Sequence, residues 1–295
     1  MGYLRGQATG PMRLHFRAVN EVYVDGELVP EAQARVSVFD HGFVTGDGVF
    51  ETVLVRDGRA FALRRHLDRL VRSASGLGLV LPPRSQLEDA VAAVTERGPR
   101  QGRARLRITV TAGASPLGSG RGEGPPSVVV AMAPLLDALP AAAVAVVPWP
   151  RNENSALAGL KTTSYAENVI ALEWAATRAA SEAIFGNTAN NLCEGTGSNV
   201  FVVIGGALIT PPLSAGLLAG VTRDLVLELV AAAEKDVPLD TFARADVEEA
   251  FLTSTTRGVQ PISSIDGIEL GEVPGPLTEA AGVAFEAVMA STDAP

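Results

Sequence analysis

The chain has 295 residues, 47% hydrophobic and 19% charged, with a formal net charge of −9. This describes a globular protein of one large or two medium domains rather than a disordered chain, and the negative balance argues against non-specific nucleic-acid binding. A single cysteine, Cys193, excludes an internal disulfide framework, so a reducing cytoplasm is the default compartment.

Met1 to Val19 alternates arginine with small residues and lacks the continuous apolar stretch of a secretory signal, so residues 1–20 read as an N-terminal extension, with disorder as one expectation. Val22-Tyr23-Val24, Asp25-Gly26 and Glu27-Leu28-Val29 then carry a hairpin signal, which recurs around Asp57-Gly58 between Val53-Leu54-Val55 and Ala60-Phe61. Leu63, Leu67, Leu70, Ala74 and Leu77 fall on one face of a helix. Arg105 to Thr111 alternates as a half-buried strand, with Leu106, Ile108 and Val110 on one side, and Ser127 to Ala131 is a further strand. Residues 21–134 are thus expected to form a small α+β domain, 135–140 a linker and 141–295 a larger domain.

In the larger part the pattern predicts a strand at Val144–Val147, a helix at Ala166–Ala180 and a hairpin centred on Gly205-Gly206. Helices are expected at Thr222–Glu234 and Asp246–Ala250, the second opened by an Asp246/Glu249 capping pair. The most apolar stretch, Ser127 to Trp149, is cut by Pro134, Asp137, Pro140 and Pro148, so no membrane helix is expected. His15, His41 and His66 are scattered, so no metal site is expected either. Gly46-Asp47-Gly48, Gly118 to Gly122 and Gly195-Thr196-Gly197 do not sit cleanly between a strand and a helix, which argues against a Rossmann fold.

Of the 24 lysines and arginines only two are lysines, Lys161 and Lys235. Arginine substitutes for lysine as a cation but not as a nucleophile, because guanidinium stays protonated. Lys235, in Ala-Glu-Lys-Asp-Val-Pro, reads as a cation at a helix end. Lys161 stands between Ala-Leu-Ala-Gly-Leu and Thr-Thr-Ser-Tyr, an uncharged, hydroxyl-rich setting suited to an imine-forming amine, with a solvated lysine as the alternative.

Three further constellations could carry chemistry. Glu194-Gly195-Thr196-Gly197-Ser198-Asn199 is either a plain turn or a carboxylate held at a strand entrance, able to keep a pyridine nitrogen protonated. Gly220-Val221-Thr222 at a helix start, and Thr253-Ser254-Thr255-Thr256, read either as ordinary capping and turn residues or as an anion seat. Arg69, three residues after His66 on the first helix, is a solvated cation unless a phosphate lies nearby.

From about Val22 to about Gly271 these segments together resemble the class IV aminotransferase family, the pyridoxal-phosphate enzymes of fold type IV. The resemblance rests on Phe39-Asp40-His41-Gly42-Phe43 with Gly46-Asp47-Gly48-Val49-Phe50-Glu51, His66-Leu67-Asp68-Arg69-Leu70, Lys161-Thr162-Thr163-Ser164-Tyr165, Glu194 to Phe201, Gly220 to Asp224, and Leu252 to Thr256. It implies an α+β protein with a small N-terminal α+β domain and a larger C-terminal domain containing a barrel-like sheet. Pyridoxal 5'-phosphate would sit between them, usually within a homodimer. By the same resemblance Lys161 would bond the cofactor and shuttle the proton, and Glu194 would pair with the ring nitrogen. Arg69, Val221, Thr222, Ser254 and Thr255 would hold the phosphate, Tyr165 would meet the phenolic oxygen, and Asn199 would line the cofactor.

Within the family the signals divide. D-amino-acid transaminases trap the α-carboxylate with an arginine and a histidine two residues apart; Leu117 and Ser119 stand there, and Phe43 stands for an upstream tyrosine, which disfavours D-amino acids. The segment from Phe39 to Phe43 looks more like bacterial aminodeoxychorismate lyases, while Glu194-Gly195-Thr196 looks more like transaminases. The first expectation is therefore a 4-amino-4-deoxychorismate lyase of folate biosynthesis, releasing 4-aminobenzoate and pyruvate. The alternative is a branched-chain-type amino-acid transaminase using 2-oxoglutarate, and a third reading is a non-catalytic binding protein. Phe43, Arg107 and Arg121 are the candidate substrate contacts.

Overall fold

The computed structural model describes residues 21–99, 101–242 and 246–295; the N-terminal extension lies outside the described residues. Chain order begins with β1 (Glu21–Val24), β2 (Glu27–Pro30), α1 (His41–Thr45), β3 (Gly48–Arg56), β4 (Arg59–Ala60), α2 (Leu63–Leu77), α3 (Arg84–Arg97), β5 (Arg103–Thr111) and β6 (Ser127–Pro134). These strands make one antiparallel sheet in the order β2-β1-β6-β5-β3-β4. The two Asp-Gly turns behave as their residues demand: Asp25, Gly26, Asp57 and Gly58 all take positive φ, the geometry that matches strand twist in a tight hairpin.

The period-2 pattern of β5 is realised in burial. Leu106, Ile108 and Val110 are fully buried against Leu67 and Leu70 of α2 and Leu87, Val91 and Val94 of α3. Each such side chain contributes about 1.5–3 kcal/mol when removed from water. The opposite face of this sheet carries Phe50 on β3 and Arg107 on β5, and it looks toward the second half of the chain.

That half contributes β7 (Ala142–Val146), α4 (Ala166–Ala176), β8 (Glu182–Gly186), β9 (Leu192–Gly195), β10 (Asn199–Ile204), β11 (Ala207–Thr210) and α5 (Val221–Leu229). It continues with β12 (Ala233–Glu234), α6 (Leu239–Phe242), β13 (Glu249–Ser254), β14 (Gly258–Ile265), β15 (Ile268–Glu269) and α7 (Pro276–Ser291). The sheet runs β12-β11-β10-β13-β14-β7-β8-β9, with β15 on β14. β9 ends that path, yet a short turn joins it to β10 near the other end, closed by Gly195 N donating to Ser198 O at 2.7 Å. The sheet therefore curls into a half-barrel.

Its strands are buried on both faces. Val144, Ile184, Val200 and Leu252 fill the inside with Phe242 of α6, while Phe185 and Cys193 pack on Ala171 and Ala175 of α4. Such strands read as continuous apolar runs rather than alternating ones. Two helices, α5 and α7, join the halves: Leu225, Phe285 and Met289 pack on Leu54 and Phe61. Among the described residues no helix is long and apolar enough to cross a membrane.

Three expectations about elements are corrected. Asp246–Ala250 is not a helix; Glu249 begins β13, and its carboxylate instead accepts from Leu277 N (3.1 Å), Thr278 N (2.8 Å) and Thr278 Oγ1 (2.8 Å). The capping group was real but serves the N-terminus of α7, a partner far along the chain. The expected helix from Thr222 to Glu234 stops at Leu229, and β12 follows, so Lys235 follows a strand rather than ending a helix. The helix from Ala166 likewise ends at Ala176 rather than Ala180. Four helices, the short α1 and α6 and the longer α3 and α7, were not anticipated.

Candidate active site

Lys161 lies where the two sheets meet. Its backbone runs along β3 as an added strand: Phe50 N donates to Lys161 O at 3.0 Å, Thr162 bridges Val49, and Thr163 N donates to Gly48 O at 2.8 Å. Lys161 N is held in turn by Ser73 Oγ of α2, at 3.0 Å. The side chain enters a cavity whose walls also include Arg69, Tyr165, Glu194, Asn199, Val221, Thr222, Ser254 and Thr255. Every residue expected at the cofactor converges there.

The amine stands 4.4 Å from the centre of the Phe50 ring. Burial first, then the Arg69 guanidinium, lowers Lys161 to about 8. Near neutral pH such an amine has a usable neutral fraction, which an ordinary surface lysine lacks.

At one end of the cavity Glu194 is buried at the end of β9. Its oxygens accept from Arg151 Nη1 (2.6 Å), Leu218 N (3.0 Å) and Asn199 Nδ2 (3.3 Å). Burial pushes this carboxyl above its ordinary value and Arg151 opposes the shift. Asn199 Nδ2 also donates to Leu218 O (2.9 Å), which ties the Glu194 support to the approach to α5. Gly220 is required at that point: a Cβ there would lie 2.0 Å from Asn199 Oδ1.

At the other end α5 begins at Val221, with Gly220 as N-cap and no side chain capping it. Thr222 lies inside the helix, so its hydroxyl does not cap the helix and faces the cavity region. Free N-terminal amides and the positive helix end suit an anion. Arg69 reaches the same region. It is fixed by Glu51 through Nε (2.7 Å) and Nη2 (2.8 Å), and by Ala219 O through Nη1 (3.0 Å). Glu51 also accepts from His66 Nδ1 at 2.7 Å. Burial alone would raise Glu51, but Arg69 and His66 outweigh it and hold the carboxyl well below the usual range.

Tyr165 packs edge-on against Phe50 at 5.2 Å, and burial pushes its hydroxyl up to about 12. Arg107 lies over the same Phe50 ring at 3.7 Å, beside the cavity rather than in its wall. The other two substrate candidates lie apart from it. Phe43 is 75% exposed on α1. Arg121 is engaged by Asp47 (2.6 and 2.7 Å) and by the Leu77 and Gly78 carbonyls at the end of α2 (2.8 and 2.6 Å).

Sequence reasoning missed Arg151, which has no periodic or motif signal and is recognisable only as the cation a buried Glu194 requires. It also gave no role to Glu51 and His66, although both stand in motifs that were singled out. Thr253 Oγ1 is buried beside the cavity and has no hydrogen-bond partner among the described residues.

A half-buried amine, a fixed carboxylate and an anion seat around one cavity suit an aldehyde cofactor with a basic ring and a phosphate. The family model described as amino-transferase class IV matches residues 48–265, and the chain belongs to that family. A putative branched-chain-amino-acid aminotransferase of Methanocaldococcus jannaschii is 34% identical over 275 residues, covering 88% of this chain and 94% of the relative. A D-alanine aminotransferase of Staphylococcus haemolyticus is 29% identical over 280 residues, covering 88% and 94%. The solved branched-chain aminotransferase of the archaeon Thermoproteus uzoniensis, with norvaline, superposes with a TM-score of 0.84 at 31% identity, covering 92% of this chain and 95% of that one.

The protein is thus a pyridoxal-phosphate-dependent enzyme of fold type IV. The residues present fit that cofactor: the uncapped start of α5 and the N–H groups Arg69 has to spare suit its phosphate, and the unpartnered Thr253 hydroxyl marks a polar wall. The relatives just described are named aminotransferases, which fits the transaminase alternative better than the first expectation of a lyase.

Proposed function

We propose that this enzyme is an amino-acid transaminase of branched-chain type that passes the amino group to 2-oxoglutarate. The convergence of Lys161, Glu194 and the candidate anion seat in one cavity carries the pyridoxal-phosphate chemistry, and the names of the relatives favour a transaminase within it. The branched-chain choice is supported by the relatives with that name and by the uncharged Leu117 and Ser119 where D-amino-acid enzymes have an ionic trap. The engagement of Arg121 with Asp47 removes the main support for a dicarboxylate lyase substrate.

When bound, pyridoxal phosphate supplies a carbonyl for the amino group and an electron-poor ring that stabilises negative charge on the substrate α-carbon. Lys161 Nζ would hold the cofactor and would take and return the substrate proton, a role that its lowering to about 8 by burial suits. Glu194, held by Arg151 and Leu218 N, would keep the ring nitrogen protonated. Arg69, Val221, Thr222, Ser254 and Thr255 would hold the phosphate, Tyr165 would meet the phenolic oxygen, and Asn199, which donates to Glu194, would orient it. Arg107, held against Phe50, is the cation available for a carboxylate at the cavity edge. The exposed Phe39, Phe43 and Leu117 (49%, 75% and 72%) suit cover by a second copy in a homodimer.

Holoenzyme given L-leucine, L-isoleucine or L-valine with 2-oxoglutarate is expected to form glutamate and the branched keto acid. D-alanine and 4-amino-4-deoxychorismate are expected to turn over at least about 100-fold more slowly. Pyruvate release from aminodeoxychorismate without any keto acid, or faster turnover of D-alanine, would overturn the substrate reading. Lys161→Ala is expected to lose about 10³-fold or more of the activity; normal activity would overturn the whole site.

A further inference from the structure

We propose that Glu182 and Arg257, neither of which lines the cavity, are positioning residues that lock two of its walls together. Glu182 opens β8 and is 2% exposed. One oxygen accepts from Ala183 N (3.1 Å), Thr196 N (3.0 Å) and Thr196 Oγ1; the other accepts from Ser198 Oγ (3.2 Å) and Arg257 Nη2. Arg257 follows β13. Its Nε and its backbone N both donate to Ser254 Oγ at 3.3 Å, and Nη1 donates to Gln260 Oε1 at 3.4 Å.

Thr196 and Ser198 form the turn just after Glu194, and Ser254 opens the turn assigned to the phosphate. The first wall therefore carries the support of the ring carboxylate and the second part of the anion seat. A single buried carboxylate spans both, directly to one and through Arg257 to the other. Five donors on one carboxylate is far more than capping a strand start needs, and hydrogen bonds to a charged acceptor are the strong ones. Shifting either turn independently would strand buried donors of the other, so the two walls move as one body. The consequence is a fixed separation between the carboxylate that meets the ring and the hydroxyls that meet the phosphate, which is the spacing within one cofactor molecule.

This inference rests on the proposed cofactor-binding residues, and the test separates the two. Dissociation constants of pyridoxal 5'-phosphate and of pyridoxal are measured on refolded apo protein for wild type, Arg257→Lys, Arg257→Gln, Glu182→Gln and, as a control of the site itself, Arg69→Gln. Arg257→Gln and Glu182→Gln are expected to weaken pyridoxal 5'-phosphate about tenfold or more and pyridoxal less than threefold. Arg257→Lys, which keeps the cation, recovers part of the loss. Equal weakening of both ligands, or unchanged binding of both, overturns the proposal and leaves Glu182 a strand anchor. If Arg69→Gln also leaves pyridoxal 5'-phosphate binding unchanged, the assignment of the phosphate seat fails first. Arg257 is partly exposed, so its two variants carry the test should Glu182→Gln fail to fold.

Discussion

Two buried arginine–glutamate pairs flank the cavity, and they are wired in opposite senses. In Arg69–Glu51 the carboxylate is fully buried behind the arginine, and only the arginine reaches the cavity. In Arg151–Glu194 the carboxylate is the group proposed to meet the cofactor, and the arginine supports it from the wall, stacked on Phe185 at 4.1 Å. The same pair of residue types thus suits a proposed anion seat at one end and a proposed ring-pairing carboxylate at the other. What differs is which partner is turned toward the ligand. A buried pair of this kind adds little net stability, because desolvation offsets the attraction, but removing one member leaves an uncompensated charge.

Single substitutions can break this symmetry. The largest effect is expected from Glu194→Gln: kcat falls about 100-fold or more while pyridoxal-phosphate affinity changes far less, read from steady-state rates and cofactor titration. Arg151→Gln should follow it in direction and also lower the unfolding free energy by about 3 kcal/mol, since Glu194 is left buried without its cation. At the other end Arg69→Gln and Glu51→Gln should both weaken cofactor binding, by about 10- to 100-fold, with kcat at saturating cofactor nearly kept. If Glu51→Gln lowered kcat as Glu194→Gln does, the assignment of the two ends would be wrong.

A smaller effect concerns pH. Lys161 titrates at about 8 in the folded chain against 10.5 for an ordinary lysine. Between those values the folded apo protein binds fewer protons than the unfolded one, so the Lys161 contribution to stability rises with pH across that window. Denaturant titrations of apo protein at pH 8 and pH 10 should show this slope, and Lys161→Ala should flatten it. The rate at which apo protein takes up pyridoxal phosphate covalently should also rise with an inflection near pH 8.

The smallest effect is expected at Arg121. Its ion pair with Asp47 is partly exposed, so Arg121→Gln should cost about 1 kcal/mol or less and leave the KM for 2-oxoglutarate unchanged. A tenfold rise in that KM would instead restore Arg121 as a substrate contact.

The cavity was legible in the sequence to the extent that its chemistry needs particular residue types. Lys161 stood out because arginine cannot do its work, and Gly220-Val221-Thr222 because a glycine before a helix leaves amides free. The residues behind them were not legible. Arg151 is recognisable only once Glu194 is seen to be buried, and Glu249 carries a capping signal that points to the wrong helix, since its true partner, Thr278, lies 29 residues further on. Helix ends failed for a related reason: α5 stops at Leu229 because β12 pairs with β11, a tertiary demand that periodicity does not contain.

Local chemistry therefore determined the strand-and-turn pattern of the first half and marked Lys161, Glu194 and the start of α5 as candidates for the proposed site. Each depends on a side chain or backbone conformation available within a few residues. Which face of each ion pair meets the ligand, and which side chains lie outside the cavity, were decided only when the two sheets packed. Those properties belong to pairs distant in sequence, and burial, the force that assigns them, exists only in the folded molecule.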